Sequence, residues 1–282
     1  MYVNGEPAGK MIIKLACTGM IPTKDDTPYV PISASEIAKD TYEAYKLGVS
    51  VIHVHARDEL GKPTYKKEIF ENIFKEIKRK CPDIIICATT SGRVNPQVEH
   101  RSEVLELEPE MASLTIGSFN FPEYSSVNSP QTIKQLATIM MDKGILPELE
   151  IFEPGFINTA KYLNRKGYLK SPLHFNMLLG SLGAIPADLR DLVFLKESLP
   201  KESTWSATGI GRFQTQINVA AILMGGHVRV GIEDSIYYHY PTKELATNID
   251  LVKRIIRITN DLGREIANPK EAREILGITN GR

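Results

Sequence analysis

The sequence predicts a single-domain α/β protein, a (β/α)8 TIM barrel. Eight short apolar segments alternate with helical ones along 282 residues, and no linker-like or low-complexity stretch divides them. Polar residues also gather where the apolar segments end, the place where barrel enzymes carry their chemistry. A doubly wound open sheet is the alternative that the same alternation allows.

Residues 1–10 are polar and contain Gly and Pro, so they read as a flexible segment ahead of a barrel domain spanning 11–282. Met11 to Cys17 is the first strand, broken by Thr18-Gly19 and a loop through Pro31. Ser33-Ala34-Ser35-Glu36 has the spacing of a capping box, so a helix runs from there to about Leu47 and stops at Gly48. The second strand begins at Val51; after a Gly61-Lys62-Pro63 turn, a helix over about 66–80 sets Ile69, Ile73, Phe74 and Ile77 on one face. Ile84 to Thr89 is the continuous apolar run of a strand buried on both sides, followed by the polar loop Thr90-Ser91-Gly92-Arg93.

A short helix covers 99–107 and a fourth strand Met111 to Thr115. Pro suits a first helical turn, so Ser129-Pro130 opens a helix that Gly144 ends. Glu148 to Ile151, His174 to Leu179, Thr204 to Thr208 and His227 to Val230 are the remaining strands. Helices over 158–166, 187–198, 213–224 and 243–262 separate or follow them, with a short terminal helix over 269–276.

With 34 basic and 34 acidic residues the net charge is zero, which removes the bulk electrostatic case for nucleic acid or an anionic membrane as partner. No apolar run is long enough to span a bilayer. Cys17, Cys81 and Cys87 lack metal-type spacing, and no basic-then-apolar leader opens the chain, so a cytoplasmic protein with reduced thiols is expected.

The chemistry centres on Val51-Ile52-His53-Val54-His55-Ala56-Arg57-Asp58. A period of two puts His53 and His55 on one face of a strand, which is half of a metal site or a pair of hydrogen-bonded core histidines. Strand eight closes beside strand one in a barrel, so Glu233 can reach that face and complete a two-histidine, one-carboxylate set; as an alternative it is a plain loop carboxylate. Arg229 and Asp234 bracket Glu233 and read as a proton-handling pair or as a structural ion pair. Thr89, Ser91, Ser113, Thr115 and Glu150 fall at the ends of strands three to five. Glu150 is either a substrate contact or a buried acid paired with a lysine or arginine. Gly209, Gly211 and Arg212 follow strand seven at a helix start, the usual phosphate position of barrels, though a tight turn without ligand fits equally.

On these motifs, together with Pro109-Glu110-Met111-Ala112-Ser113-Leu114, Pro147-Glu148-Leu149-Glu150-Ile151, Ala207-Thr208-Gly209-Ile210-Gly211-Arg212 and Gly225-Gly226-His227-Val228-Arg229-Val230-Gly231-Ile232-Glu233-Asp234, the chain resembles the β-keto acid cleavage enzymes. The resemblance runs from about Ile12 to Leu276. It implies a zinc-dependent TIM barrel that joins a β-keto acid to acetyl-CoA and releases acetoacetate and a new acyl-CoA. It further implies His53, His55 and Glu233 as metal ligands, Arg229 and Asp234 as the proton-abstracting pair, and Thr89, Gly92 and Ser113 as substrate contacts. A homo-oligomer, a tetramer, is implied as well. Zn²⁺ suits the ligand set, which also tolerates Co²⁺, Mn²⁺ or Fe²⁺.

One position departs from the pattern: Ile21 stands where members acting on amino-keto acids carry a glutamate. An aliphatic side chain cannot pair with an ammonium group, so the expected substrate lacks a cationic amine there. Two other readings are a metal-dependent barrel hydrolase, which would work without CoA, and a non-catalytic metal or acyl-CoA binding protein. In hydrolases with a His-x-His pair that pair usually ends the first strand, whereas here a full strand precedes it.

Overall fold

Eight parallel strands close on themselves in the computed structural model, which describes residues 1–3 and 5–278. They are β1 (Ile13–Ala16), β2 (Val51–Val54), β3 (Ile85–Ala88), β4 (Met111–Thr115), β5 (Leu146–Ile151), β6 (His174–Leu179), β7 (Thr204–Gly209) and β8 (His227–Val230). Each pairs with the next in sequence, and β8 closes on β1 through Val228 opposite Ile13 and Arg229 opposite Lys14. That closure decides between barrel and open sheet in favour of the barrel.

The strands read as apolar runs because both faces are covered. Leu15, Ile52, Ile86, Leu114, Phe175 and Val228 belong to the large core between barrel and helices. Inside, Ile12, Val51, Ile85, Cys87 and Met111 meet Ala267, Ala272 and Leu276 and plug the N-terminal end. Ala272 and Leu276 come from the last helix, whose approach is fixed where Ala267 N–H donates to Met11 O at 2.9 Å. The other end stays open, and the strand-end loops there form the site.

The helices begin where their caps dictate. The Ser33–Glu36 capping box starts α1 (Ala34–Lys46), and Ser129 with Pro130 starts the helix Pro130–Asp142. The expected helix over 243–262 begins instead at Asn248, where Thr247 and Asp250 form their own capping box; Tyr237–His239 and Glu244–Leu245 pair as a hairpin before it. The helix expected over 158–166 begins earlier, at Pro154, because that proline occupies the first turn. The segment 99–107 divides into Val98–Ser102 and a 3-10 turn, Glu103–Leu107, and the second strand is shorter than its sequence run. At the chain start, Tyr2–Val3 pairs antiparallel with Glu6–Pro7, and Lys10 contacts both Glu265 and Glu271. No helix among the described residues is long and apolar enough to cross a membrane.

Candidate active site

His53 lies on β2 and His55 directly follows that strand, so both imidazoles face the open end. Their Nε2 atoms are 3.1 Å apart. Glu233, three residues beyond β8, brings Oε1 to 3.2 Å from His55 Nε2 and 3.9 Å from His53 Nε2. Two ligands bonded tetrahedrally to one ion at ~2.1 Å stand about 3.4 Å from each other, and these distances bracket that value. Burial keeps the His53 pKa well below the ordinary imidazole value, leaving a neutral ring with a lone pair to give. The second carboxylate oxygen of Glu233 is buried without a hydrogen-bond partner. Two imidazoles, a carboxylate and an orphaned oxygen at one point make a donor set that could hold a divalent metal ion. Gly19 makes room for it: a Cβ there would stand 2.5 Å from Glu233 Cγ, and its φ of +66° favours glycine.

Arg229 extends from β8 into the same space and is 2 % exposed. Its Nε and Nη2 donate to the two oxygens of Asp234, each at 2.9 Å, and Nη2 also donates to Glu233 Oε1 at 2.6 Å. Glu150 Oε1 lies 3.7 Å from Nη1, while its Oε2 accepts from Thr115 Oγ1 at 2.6 Å. One guanidinium therefore serves three carboxylates. Burial would raise the Glu233 pKa, but the adjacent Arg229 charge outweighs it and holds the group well below the carboxylate range. Asp234 goes the other way: burial raises its pKa, and the neighbouring Glu233 charge adds to this against the pull of Arg229. Two adjacent acids are thus pushed apart, one kept ionised and one made a better proton acceptor.

These groups open onto a cavity of about 600 Å³ lined by His55, Thr89, Ser91, Thr115, Glu150, Arg229, Glu233 and Asp234. Ser113 and Gly92 stand behind its wall. The Ser113 hydroxyl accepts from Thr90 N–H, and Gly92 packs on Arg101, whose Nη1 would be 2.8 Å from a Cβ there. Arg101 in turn donates to Thr90 O and Asn128 Oδ1, fixing the loop that carries Thr89 and Ser91. Of the loop after β7, the Gly211 N–H is taken by Asp234 O at 2.7 Å, Gly209 packs against Phe213, and Arg212 is exposed at the rim. Ile21 lines the cavity at 57 % exposure, on a loop held by Arg57 through Gly19 O and Pro22 O.

Two features escaped the sequence. Lys14 and Glu148, both fully enclosed in the barrel, form a close ion pair, with His174 Nε2 at 3.6 Å and Cys87 Sγ at 3.7 Å from the carboxylate. Glu148 and Cys87 also come within metal-ligand range of His53, but the Lys14 ammonium already occupies that carboxylate. The signal was a lone lysine inside Ile13-Lys14-Leu15. The other is Arg93, whose guanidinium lies 3.5 Å above the Phe121 ring in the cavity wall. His174 begins β6 at the plugged end of the barrel, away from the cavity, so it is not available as the further histidine after strand six that barrel hydrolases with a His-x-His pair usually carry.

The sequence model of the beta-keto acid cleavage enzyme family matches residues 10–278. The chain belongs to that family. It is 43 % identical to the 3-keto-5-aminohexanoate cleavage enzyme of Fusobacterium nucleatum over 270 residues, 95 % of this chain and 98 % of the relative. It is 33 % identical to the 3-oxoadipate:acetyl-CoA acetyltransferase of Cupriavidus necator, covering 95 % of this chain and 94 % of the relative. Among solved structures it superposes on ObcA with a TM-score of 0.77 at 20 % identity, over 89 % of this chain and 68 % of that one, a likeness of fold alone.

Proposed function

We propose that this β-keto acid cleavage enzyme condenses a β-keto acid with acetyl-CoA and releases acetoacetate and the acyl-CoA of the remaining portion. The observation that carries the proposal is the buried Arg229–Asp234 pair set against Glu233 and the two histidines. The relatives support it: one is named for an amino-keto acid and another for a keto diacid acetylated from acetyl-CoA, so a common head chemistry serves different tails.

His53, His55 and Glu233 would hold a divalent ion, which we assign as Zn²⁺, with Co²⁺, Mn²⁺ or Fe²⁺ compatible with the same donors. Bound there, the ion supplies Lewis-acid stabilisation of the charge that develops on the keto acid. Asp234 takes a proton from C2, the carbon between the two carbonyls, and Arg229 holds the carboxylate in line through two hydrogen bonds. The C2 electron pair attacks the acetyl carbonyl, and the new C–C bond forms as the C–S bond breaks. The released CoA thiolate adds to the original C3 carbonyl. Cleavage of C2–C3 then leaves an acyl-CoA and acetoacetate, whose C2 recovers the proton from Asp234.

Thr89, Ser91 and Thr115 line the cavity where they can orient the carboxylate, with Ser113 and Gly92 shaping the wall behind. Glu150 steadies Arg229 from its third side. Gly209, Gly211 and Arg212 are assigned to the CoA side, Arg212 offering its charge to a phosphate at the rim. We assign the protein to the cytoplasm, which suits its three buried free thiols, and to a homotetramer, which would cover the exposed Leu189, Phe194 and Leu223.

Incubating the purified enzyme with acetyl-CoA and a set of β-keto acids, and measuring acetoacetate, tests the reading. Acetoacetate that requires both reactants supports it; turnover that proceeds without acetyl-CoA contradicts it in favour of hydrolysis. Within the set, Ile21 predicts that 3-oxohexanoate is turned over better than its 5-amino analogue.

A further inference from the structure

Most charge in the cavity is already spoken for. Glu150, Glu233 and Asp234 converge on Arg229, and Arg212 is exposed at the rim. Arg93 differs: it is half-buried in the wall, stacked on Phe121, and has no ion pair with any described carboxylate. Tyr124 interacts with it through a side-chain hydrogen bond, and Glu233 and Glu150 act on it only through space. Burial lowers its pKa, the mark of a cation taken from water without a counter-charge. A guanidinium never gives up its proton in a protein, so it stays charged and presents a fork matched to a carboxylate.

Its position is as informative as its charge. His53, His55, Glu233 and the Arg229–Asp234 pair sit over β2 and β8, whereas Arg93, on the loop after β3, reaches across to the segment after β4. There Phe119, Phe121 and Phe152 form an aromatic wall, Phe119 stacked on Phe152 with centroids 4.0 Å apart and Phe121 edge-on to both. A keto acid with its carbonyl carbons at Asp234 has its tail free to run along that wall toward Arg93. Ile21, the other side chain considered for the tail, offers no charge at all.

We infer that Arg93, backed by Phe121 and Tyr124, is an anion-binding subsite for the tail of the substrate, and that the preferred substrate is a β-keto acid with a second carboxylate at its far end. This rests on the keto acid reading above. The ring beneath the guanidinium stabilises it while empty, and the incoming carboxylate supplies the missing partner.

The test compares 3-oxohexanedioate with 3-oxohexanoate, equal in length and differing in the terminal carboxylate, at saturating acetyl-CoA. Wild-type enzyme, Arg93→Gln and Arg93→Lys are each assayed for acetoacetate, and diacid binding to the metal-loaded enzyme is measured by calorimetry without acetyl-CoA. The expected result is a wild-type preference for the diacid of about 10- to 100-fold in kcat/KM, carried mainly by KM. Arg93→Gln abolishes the preference by raising KM for the diacid alone, and Arg93→Lys keeps part of it. Equal losses for both acids overturn the inference, because Arg93 would then hold the carboxylate common to them. A raised KM for acetyl-CoA, with acetyl-pantetheine unaffected, also overturns it and transfers the residue to a CoA phosphate. Absence of acetoacetate from every acid refutes the reaction instead; calorimetry still decides the subsite, which stands if the wild type binds the diacid and Arg93→Gln does not, and falls otherwise.

Discussion

Arg229 and Asp234 meet through two parallel hydrogen bonds, each 2.9 Å long, inside the barrel mouth. Such a two-pronged pair fixes the plane of the carboxylate, so the lone pair that accepts a proton points one way. Asp234→Asn keeps the shape and removes the proposed base. It should lower kcat by about 10²- to 10⁴-fold with a small change in KM. NMR in D₂O checks the step itself: enzyme-catalysed exchange of the C2 protons, measured above the spontaneous rate, disappears in the variant.

Gly19→Ala tests how Glu233, the proposed metal carboxylate, is positioned. The added Cβ collides with Glu233 Cγ and also meets an unfavourable φ of +66°. Metal affinity should fall by ~10- to 100-fold, the usual effect of disturbing the support of a ligand. Metal content after dialysis against a weak chelator reads this out, and excess Zn²⁺ should restore activity to Gly19→Ala but not to His53→Ala.

The acid side of the stability profile should carry the signature of His227. Its Nδ1 accepts the Ile12 N–H at 3.1 Å, and burial pushes its pKa from 6.5 down to about 3. Between these values the unfolded chain binds a proton that the folded chain refuses, so stability falls as pH drops from 6.5 toward 3 and levels below. This group alone accounts for on the order of 3–5 kcal/mol. His227→Gln keeps an acceptor that does not titrate. Urea unfolding of the variant across that range should show a shallower decline than the wild type, and parallel curves would contradict the assignment.

Arg212→Ala should raise the KM for acetyl-CoA by roughly 5- to 20-fold while leaving that for the keto acid unchanged, as expected for one exposed charge–phosphate contact. An unchanged acetyl-CoA KM moves the phosphates elsewhere.

The barrel was legible because each strand is short, apolar and bounded by turn residues, so the alternation survives without any knowledge of register. His53 and His55 were legible because two residues apart on a strand means one face. Glu233 followed from barrel closure, which brings β8 beside β1 and hence near β2, and from the family resemblance. Lys14 and Glu148 were not legible: each looks like a stray charge in its own strand, and their pairing depends on both pointing into the same interior layer. Arg93 was hidden for another reason. Nothing local distinguishes a solvated loop arginine from one laid over a ring contributed by a later loop. Helix starts erred where a stronger cap lay downstream, as at Thr247, or a proline upstream, as at Pro154.

The origin of the product carbons tests the central claim most directly. With an unlabelled β-keto acid and acetyl-CoA carrying ¹³C in both acetyl carbons, condensation at C2 followed by C2–C3 cleavage places the label at C3 and C4 of acetoacetate and none in the acyl-CoA. Unlabelled acetoacetate, or label appearing only in free acetate, would contradict the account.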